Sequence, residues 1–382
     1  MRTDLLTGQL SFLQRRWARP LNTDFVFTKS AANVGIKTRL ITDNYVIILP
    51  QLGGMMDEFF DGCIFIRGSG SDPWQETVTW SSLHSSRRPS RSLSFEQQFL
   101  VNVQAWESAG GPPYRRLFDE AGRALRQEIT NERFIFWVDC FSTHEPWISP
   151  QQLDPKNLPD DEPISPPYGG TNGYAPHQLA ALRMQYAKRI AAVDAAGLPF
   201  ISVLQEAMKS GDVALAVLSD HGFLFGEYGL VGKLDSCPVL PPLYDLVAWL
   251  SPHFENRVDD NRLLQPSDFT NVFCELLGTS FPSAPTQNLP DRPQVIGRNS
   301  PEVPTITIAT REGFALVFRD DLNTFPRWYA QSKLDASRAW EMQGEPTIPR
   351  GVIDSRQLRI ILGQQPWVEN FRSSVNQLIG AT

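Results

Sequence analysis

Short apolar runs of strand length alternate along this chain with longer amphipathic stretches. The runs include "RFIFWVDCF" at 133–141 and "DVALAVLSD" at 212–220. Both are near-continuous in apolar residues and end in charge, as strands buried on both faces do. Between them, 175–211 reads as a long helix, ended by Gly211 and expected to break or kink at Pro199. A helix end, a glycine stop at Gly35 and a strand at 37–42 come earlier. A helix at 267–278 comes later, with two strands and a turn at 302–321. Strands alternating with helices predict an α/β fold, a mostly parallel central sheet with helices on both faces. The strand pair near 302–321 and the tail suggest a small C-terminal α+β unit. The expected division is 1–285 and 286–382.

The composition narrows the function. At 41% hydrophobic and 20% charged, the 382 residues are those of an ordinary globular protein with a sizeable core. A net charge of −7 argues against a general nucleic-acid binder. The four cysteines form no Cys-x-x-Cys pair, which excludes a zinc ribbon. Cys140 and Cys274 lie in apolar runs and are expected to be buried, inert thiols. No run approaches about 18 uninterrupted apolar residues, so no transmembrane helix is expected. The N-terminal stretch has no signal-peptide core, so the chain as written reads as cytoplasmic, its true location undetermined.

In parallel sheets the site lies where strands run out at their carboxyl ends. At such a point stands "LSDHGFLFGEYGLVGK", residues 218–233. A carboxylate and an imidazole side by side, Asp220 and His221, can share a divalent cation. Gly222 permits a tight turn, and Lys233 offers a point charge to an oxyanion. The tripeptide Asp-His-Gly alone is equally a polar turn that caps a strand.

The whole string resembles the sulfatase branch of the alkaline-phosphatase-like hydrolases. It matches at Ser219-Asp220-His221-Gly222, Gly226-Glu227-Tyr228-Gly229 and Gly232-Lys233. "FIFWVDCFSTHEPW" (134–147) is similar to the family strand that ends in Pro-His-x-Pro, with Thr143 for the first proline. The opening Arg2-Thr3-Asp4-Leu5-Leu6-Thr7-Gly8 resembles the end of the family's nucleophile motif. The resemblance implies metal ligation by Asp220 and His221, calcium first and manganese or magnesium as alternatives. It implies oxyanion contact or leaving-group assistance by His144, and further catalytic roles for Lys233 and Arg2. The substrate it implies is a small-molecule sulfate or phosphate ester. Residues 263–278 are similar to a segment that follows the last core strand, where Asp268 is expected to cap a helix.

Departures from the family pattern bear on activity. The formylglycine nucleophile would stand four residues before Arg2, and the Asp-Asp pair further upstream, so both are expected to precede Met1. "RRPSR" (87–91) contains Pro-Ser-Arg but lacks the following Leu-Leu-Thr-Gly, and reads as a basic surface loop. Where the family carries Gly-Lys-Trp-His, this chain has Thr42-Asp43-Asn44-Tyr45. The expectation is a sulfatase-like hydrolase, weak or inactive as this chain. The alternatives are a phosphodiesterase or phosphonate monoester hydrolase, or a non-catalytic relative that binds an anion or a protein partner.

Overall fold

The computed structural model describes residues 1–9, 11, 19–75, 93–129, 133–148, 165–210, 213–233, 239–244, 246–254 and 264–279, and the backbone of four C-terminal strands. The chain opens with α1 (Arg2–Thr7), α2 (Phe27–Asn33), β1 (Lys37–Thr42), α3 (Tyr45–Ile48) and β2 (Gly62–Phe65). Then come α4 (Leu93–Ala105), α5 (Pro113–Glu128), β3 (Phe134–Asp139) and α6 (Pro176–Ser210). They are followed by β4 (Ala216–Leu218), β5 (Leu224–Phe225), β6 (Leu230–Gly232), α7 (Pro241–Tyr244), β7 (Ala248–Leu250) and α8 (Pro266–Leu277). The last strands are β8 (Val295–Gly297), β9 (Thr305–Ala309), β10 (Gly313–Phe318) and β11 (Arg327–Ala330). The chain divides into two compact units: residues 28–214, and 1–27 with 215–382.

In the 28–214 unit, β1 is the middle strand of a parallel sheet ordered β2-β1-β3, with Leu40 opposite both Cys63 and Trp137. Gly35, at φ +82°, turns the chain out of α2 so that β1 begins two residues later. Leu40 and Ile41 point to opposite faces and both are buried, and Thr38 and Thr42 are buried with them although polar. α5 packs on the sheet and along α6. Its Leu117, Ala121, Ala124 and Leu125 are buried at helical spacing, and Phe118 stacks on Phe200 of α6 at 6.0 Å.

One expectation changes here. α6 runs through Pro199 without a break. Proline deletes one hydrogen bond, that to the carbonyl of Ala195, and both residues lie on the exposed side, where water replaces the partner. α6 is also long and apolar enough by composition to cross a membrane, although it carries charges that interrupt any apolar run. Its Leu182, Phe200 and Val203 are buried, while Met184, Leu198 and Ile201 are exposed.

In the other unit, α1 packs against α8. Leu5 and Leu6 are buried, and the Thr270 hydroxyl donates to the Leu5 carbonyl at 2.7 Å. Asp268 accepts from the backbone N–H of Gln265 at 2.7 Å, so it caps α8 as its sequence context indicates. Gly278, at φ +64°, ends the helix. The run at 212–220 yields only the three residues of β4, which pair antiparallel with β7, not parallel with a neighbour. Its Val217 is half-exposed. Apolar composition selects a strand without selecting its partner, and Ala248–Leu250 supplies one. The strands expected at 302–321 are present as β9 and β10, in an antiparallel sheet ordered β11-β10-β9-β8. The basic loop at 87–91 lies outside the described residues.

Replacing Asp268 with Ala removes the cap of the helix that holds α1. Urea unfolding is expected to show a loss of about 1 kcal/mol.

Candidate functional site

β4 ends at Leu218, and the next residues turn away from the sheet. The Ser219 N–H is the last bond to the neighbouring strand region, reaching the Val247 carbonyl at 2.9 Å. Gly222 then passes directly against 242–243, donating to the Leu243 carbonyl. A Cβ at Gly222 would lie 1.8 Å from the Pro242 carbonyl oxygen, so no side chain fits. Beyond it, β5 and β6 form a hairpin whose turn needs the positive φ of Gly226, +111°. The hairpin delivers Lys233 back to the start of the loop.

Four of the expected site residues meet there. Arg2, at the start of α1, donates from Nη1 to Asp220 Oδ2 at 2.9 Å across 218 residues of sequence. Lys233 Nζ lies 3.3 Å from His221 Nε2. His221 Nδ1 faces the Gly222 carbonyl at 2.9 Å. That contact assigns the proton to Nδ1 and leaves Nε2 as the acceptor for Lys233.

The electrostatics follow from this packing. Burial opposes ionisation of Asp220, but the neighbouring cations, Arg2 first and Lys233 with it, outweigh that and hold the carboxyl well below the usual range. Though its ring is partly exposed, desolvation by the packed neighbours holds the His221 imidazole below its ordinary value, helped by Lys233 and Arg2 against the pull of Asp220. The group at neutral pH is therefore one carboxylate, two cations and a neutral imidazole, with net positive charge.

A divalent cation fits this set only in part. His221 Nε2 and Asp220 Oδ2 are 3.7 Å apart, a spacing that two ligands of one ion can have. Among the described residues no third His, Cys, Asp or Glu joins them, and Arg2 and Lys233 bring positive charge to the same two atoms. As arranged, the four residues suit an oxyanion better than a metal ion.

His144 belongs to the 28–214 unit, just beyond the end of β3. Its N–H closes a turn onto the Phe141 carbonyl at 2.8 Å, and its ring stacks on Phe141 with centroids 4.4 Å apart. Nδ1 faces the Glu145 carbonyl at 2.8 Å and the Glu145 carboxylate at 3.2 Å. Glu145 is buried and accepts from the Tyr168 hydroxyl. Trp147 donates to the Thr143 carbonyl at 2.9 Å, closing the turn from its far side. Cys274 is buried as expected and Cys140 is half-buried, and desolvation raises both thiols above their ordinary range.

The sequence reading missed the role of Asp43. It stands at the end of β1, fully buried, and accepts hydrogen bonds from Ser69, Ser142 and the backbone of Phe141. The available signal was a charged residue placed directly after a buried strand.

No family model matches the chain, and no curated protein matches it. Solved structures do. A phosphonate monoester hydrolase of Agrobacterium radiobacter superposes with a TM-score of 0.56 at 14% identity, covering 99% of this chain and 86% of that one. A putative sulfatase of Bacteroides thetaiotaomicron superposes with a TM-score of 0.53 at 12% identity, covering 100% and 83%. A Bacteroides thetaiotaomicron protein of glycosaminoglycan metabolism gives 0.53 at 15% identity, covering 96% and 84%. The chain therefore shares the α/β fold of these solved structures.

Two outcomes follow. Gly222→Ala is expected to destabilise the protein by about 3 kcal/mol, or to prevent folding, because the contact is with backbone. Arg2→Ala is expected to lower stability at pH 6, with the deficit shrinking below about pH 4. Asp220 has a depressed folded pKa, so its contribution is complete above its unfolded value and disappears as pH falls. Denaturant unfolding of both proteins at pH 6, 4 and 3 measures the difference.

Proposed function

We propose that this chain is a sulfatase-like hydrolase-fold protein whose Asp220 cluster grips the oxyanion end of a sulfate or phosphate ester. The supporting observation is the meeting of Arg2, Asp220, His221 and Lys233 where β4 runs out. Transfer of a sulfuryl or phosphoryl group needs neutralised equatorial oxygens and an in-line nucleophile. Lys233 and Arg2 supply neutralisation. Asp220, partly exposed beside two cations, orients Arg2 and balances part of the charge. His221 offers Nε2 toward Lys233 and holds its own proton on Nδ1. None of the four is an activated nucleophile. A divalent cation, calcium before manganese or magnesium, would bind Asp220 and His221 only with further carboxylates. When bound it would polarise a substrate oxygen. His144, presented by its own turn, is the remaining residue proposed to contact an oxyanion or leaving group.

A phosphonate monoester or phosphate diester is the second reading of the substrate. It is favoured by His221 in place of the asparagine common in sulfatases, and by Asp43 and Tyr45 where a lysine and a histidine would stand.

Thermal unfolding with sulfate, phosphate or phenylphosphonate tests the proposal. Each anion that binds is expected to raise the melting temperature by a few degrees at concentrations far above its Kd. Lys233→Ala is expected to abolish the shift. Turnover of 4-nitrophenyl sulfate and bis(4-nitrophenyl) phosphate by the 382-residue chain is expected to stay far below the enzyme-typical rate of about 10 per second. An anion shift that survives Lys233→Ala contradicts the oxyanion reading. Enzyme-like turnover contradicts the expectation of weak activity.

A further inference from the structure

Asp43 is a fully buried carboxylate whose three hydrogen-bond partners come from the exits of two different strands. Ser69 Oγ, on the loop that leaves β2, donates at 2.8 Å. The Phe141 N–H and Ser142 Oγ, on the loop that leaves β3, donate as well. The sheet order is β2-β1-β3, so one side chain at the end of the middle strand ties three neighbouring exits together. The chain leaves β1 toward β2 on one side, while β3 lies on the other. Such divergence is where parallel sheets open a ligand crevice.

The chemistry of the three donors specifies the acceptor. Two hydroxyls and a backbone N–H all point inward, and an ionised carboxylate is acceptor-only. Burial, with Asp139 adding to it, raises the Asp43 carboxyl above its ordinary value, and the three donors are what favours its ionised form against that. An asparagine there would set its NH2 against one of the donors. A hydrophobe would leave all three without this acceptor in a buried place.

What the carboxylate holds is the platform under His144. Phe141 stacks face to face with the imidazole at an interplanar angle of 23°, and its carbonyl accepts the His144 N–H. Tyr45 also meets Phe141 edge-on at 5.7 Å, and its hydroxyl bonds to Ser71 at 2.7 Å. Gly70, at φ +51°, brings that loop against Tyr45 and Phe141. We infer that Asp43 is the positioning residue for His144: it clamps Phe141 and Ser142, and the clamped Phe141 ring sets the plane of the imidazole. The inference rests on the reading that His144 meets the ester.

Solution NMR of the full chain tests it. The ring resonances of His144 are assigned by their loss in His144→Gln. Stacking on Phe141 gives them a ring-current shift, and Phe141→Leu defines its absence. Asp43→Asn is expected to lose more than half of that shift, with the His177 resonances and the circular dichroism unchanged. Ser142→Ala is expected to lose part of it, and Ser142→Thr, which keeps the hydroxyl, to retain it. His144 resonances that stay at their wild-type positions in Asp43→Asn overturn the inference. If Asp43→Asn does not fold, the Ser142→Ala and Ser142→Thr pair decides, and equal spectra overturn it. Failure of the functional reading is separate: His144→Gln that leaves sulfate or phosphate binding intact removes His144 from the ester site and leaves the clamp standing.

Discussion

The ion pair between Arg2 and Asp220 joins the first turn of the chain to the end of a strand more than two hundred residues later. The pair itself is modest in energy, because both side chains keep some contact with water. About 1 kcal/mol is a fair size for it. Its geometric consequence is larger. α1 is anchored on α8 through buried Leu5 and Leu6 and through Thr270, so Arg2 is presented by a packed helix. Asp220 is presented by a strand end that Gly222 holds against 242–243. Neither side chain has to search for the other, while the hairpin sets the place of Lys233 beside His221.

Around that pair the remaining groups find their states. His221 keeps its proton on Nδ1 because the Gly222 carbonyl takes it, and Nε2 is left to Lys233. Two cations near one carboxylate leave net positive charge, which is the condition for holding an oxyanion. The 28–214 unit solves a different problem with similar means. There a buried carboxylate, Asp43, is satisfied by donors from two loops and spends its hydrogen bonds on fixing the turn that carries His144. In both units a carboxylate orders neighbouring groups.

Much of this was legible in the sequence, for reasons that can be named. The strand at 37–42 announced itself by the helix end and the glycine stop at Gly35 before it. Asp268 announced itself as a cap by its place ahead of an apolar helical pattern. The spacing of Asp220, His221 and Lys233 was readable because a glycine-bearing hairpin returns the chain to its start. Partner choice was not readable. β4 is apolar enough for a buried parallel strand, yet it pairs antiparallel with β7. Pro199 looked like a helix end because sequence alone does not show that its missing hydrogen bond would face water. Asp43 looked like the loss of a lysine. Its role depends on Ser69 and Ser142, which come from loops 26 and 99 residues away and carry no pattern of their own.

Diffraction from crystals soaked in tungstate, with anomalous data at the tungsten edge, tests the central claim most directly. Tungstate is a heavy tetrahedral oxyanion with the shape of sulfate. The account predicts an anomalous peak with an oxygen in hydrogen-bond reach of Lys233 Nζ, beside the Arg2–Asp220 pair. No peak at Lys233, while tungstate orders elsewhere on the same molecule, would contradict it.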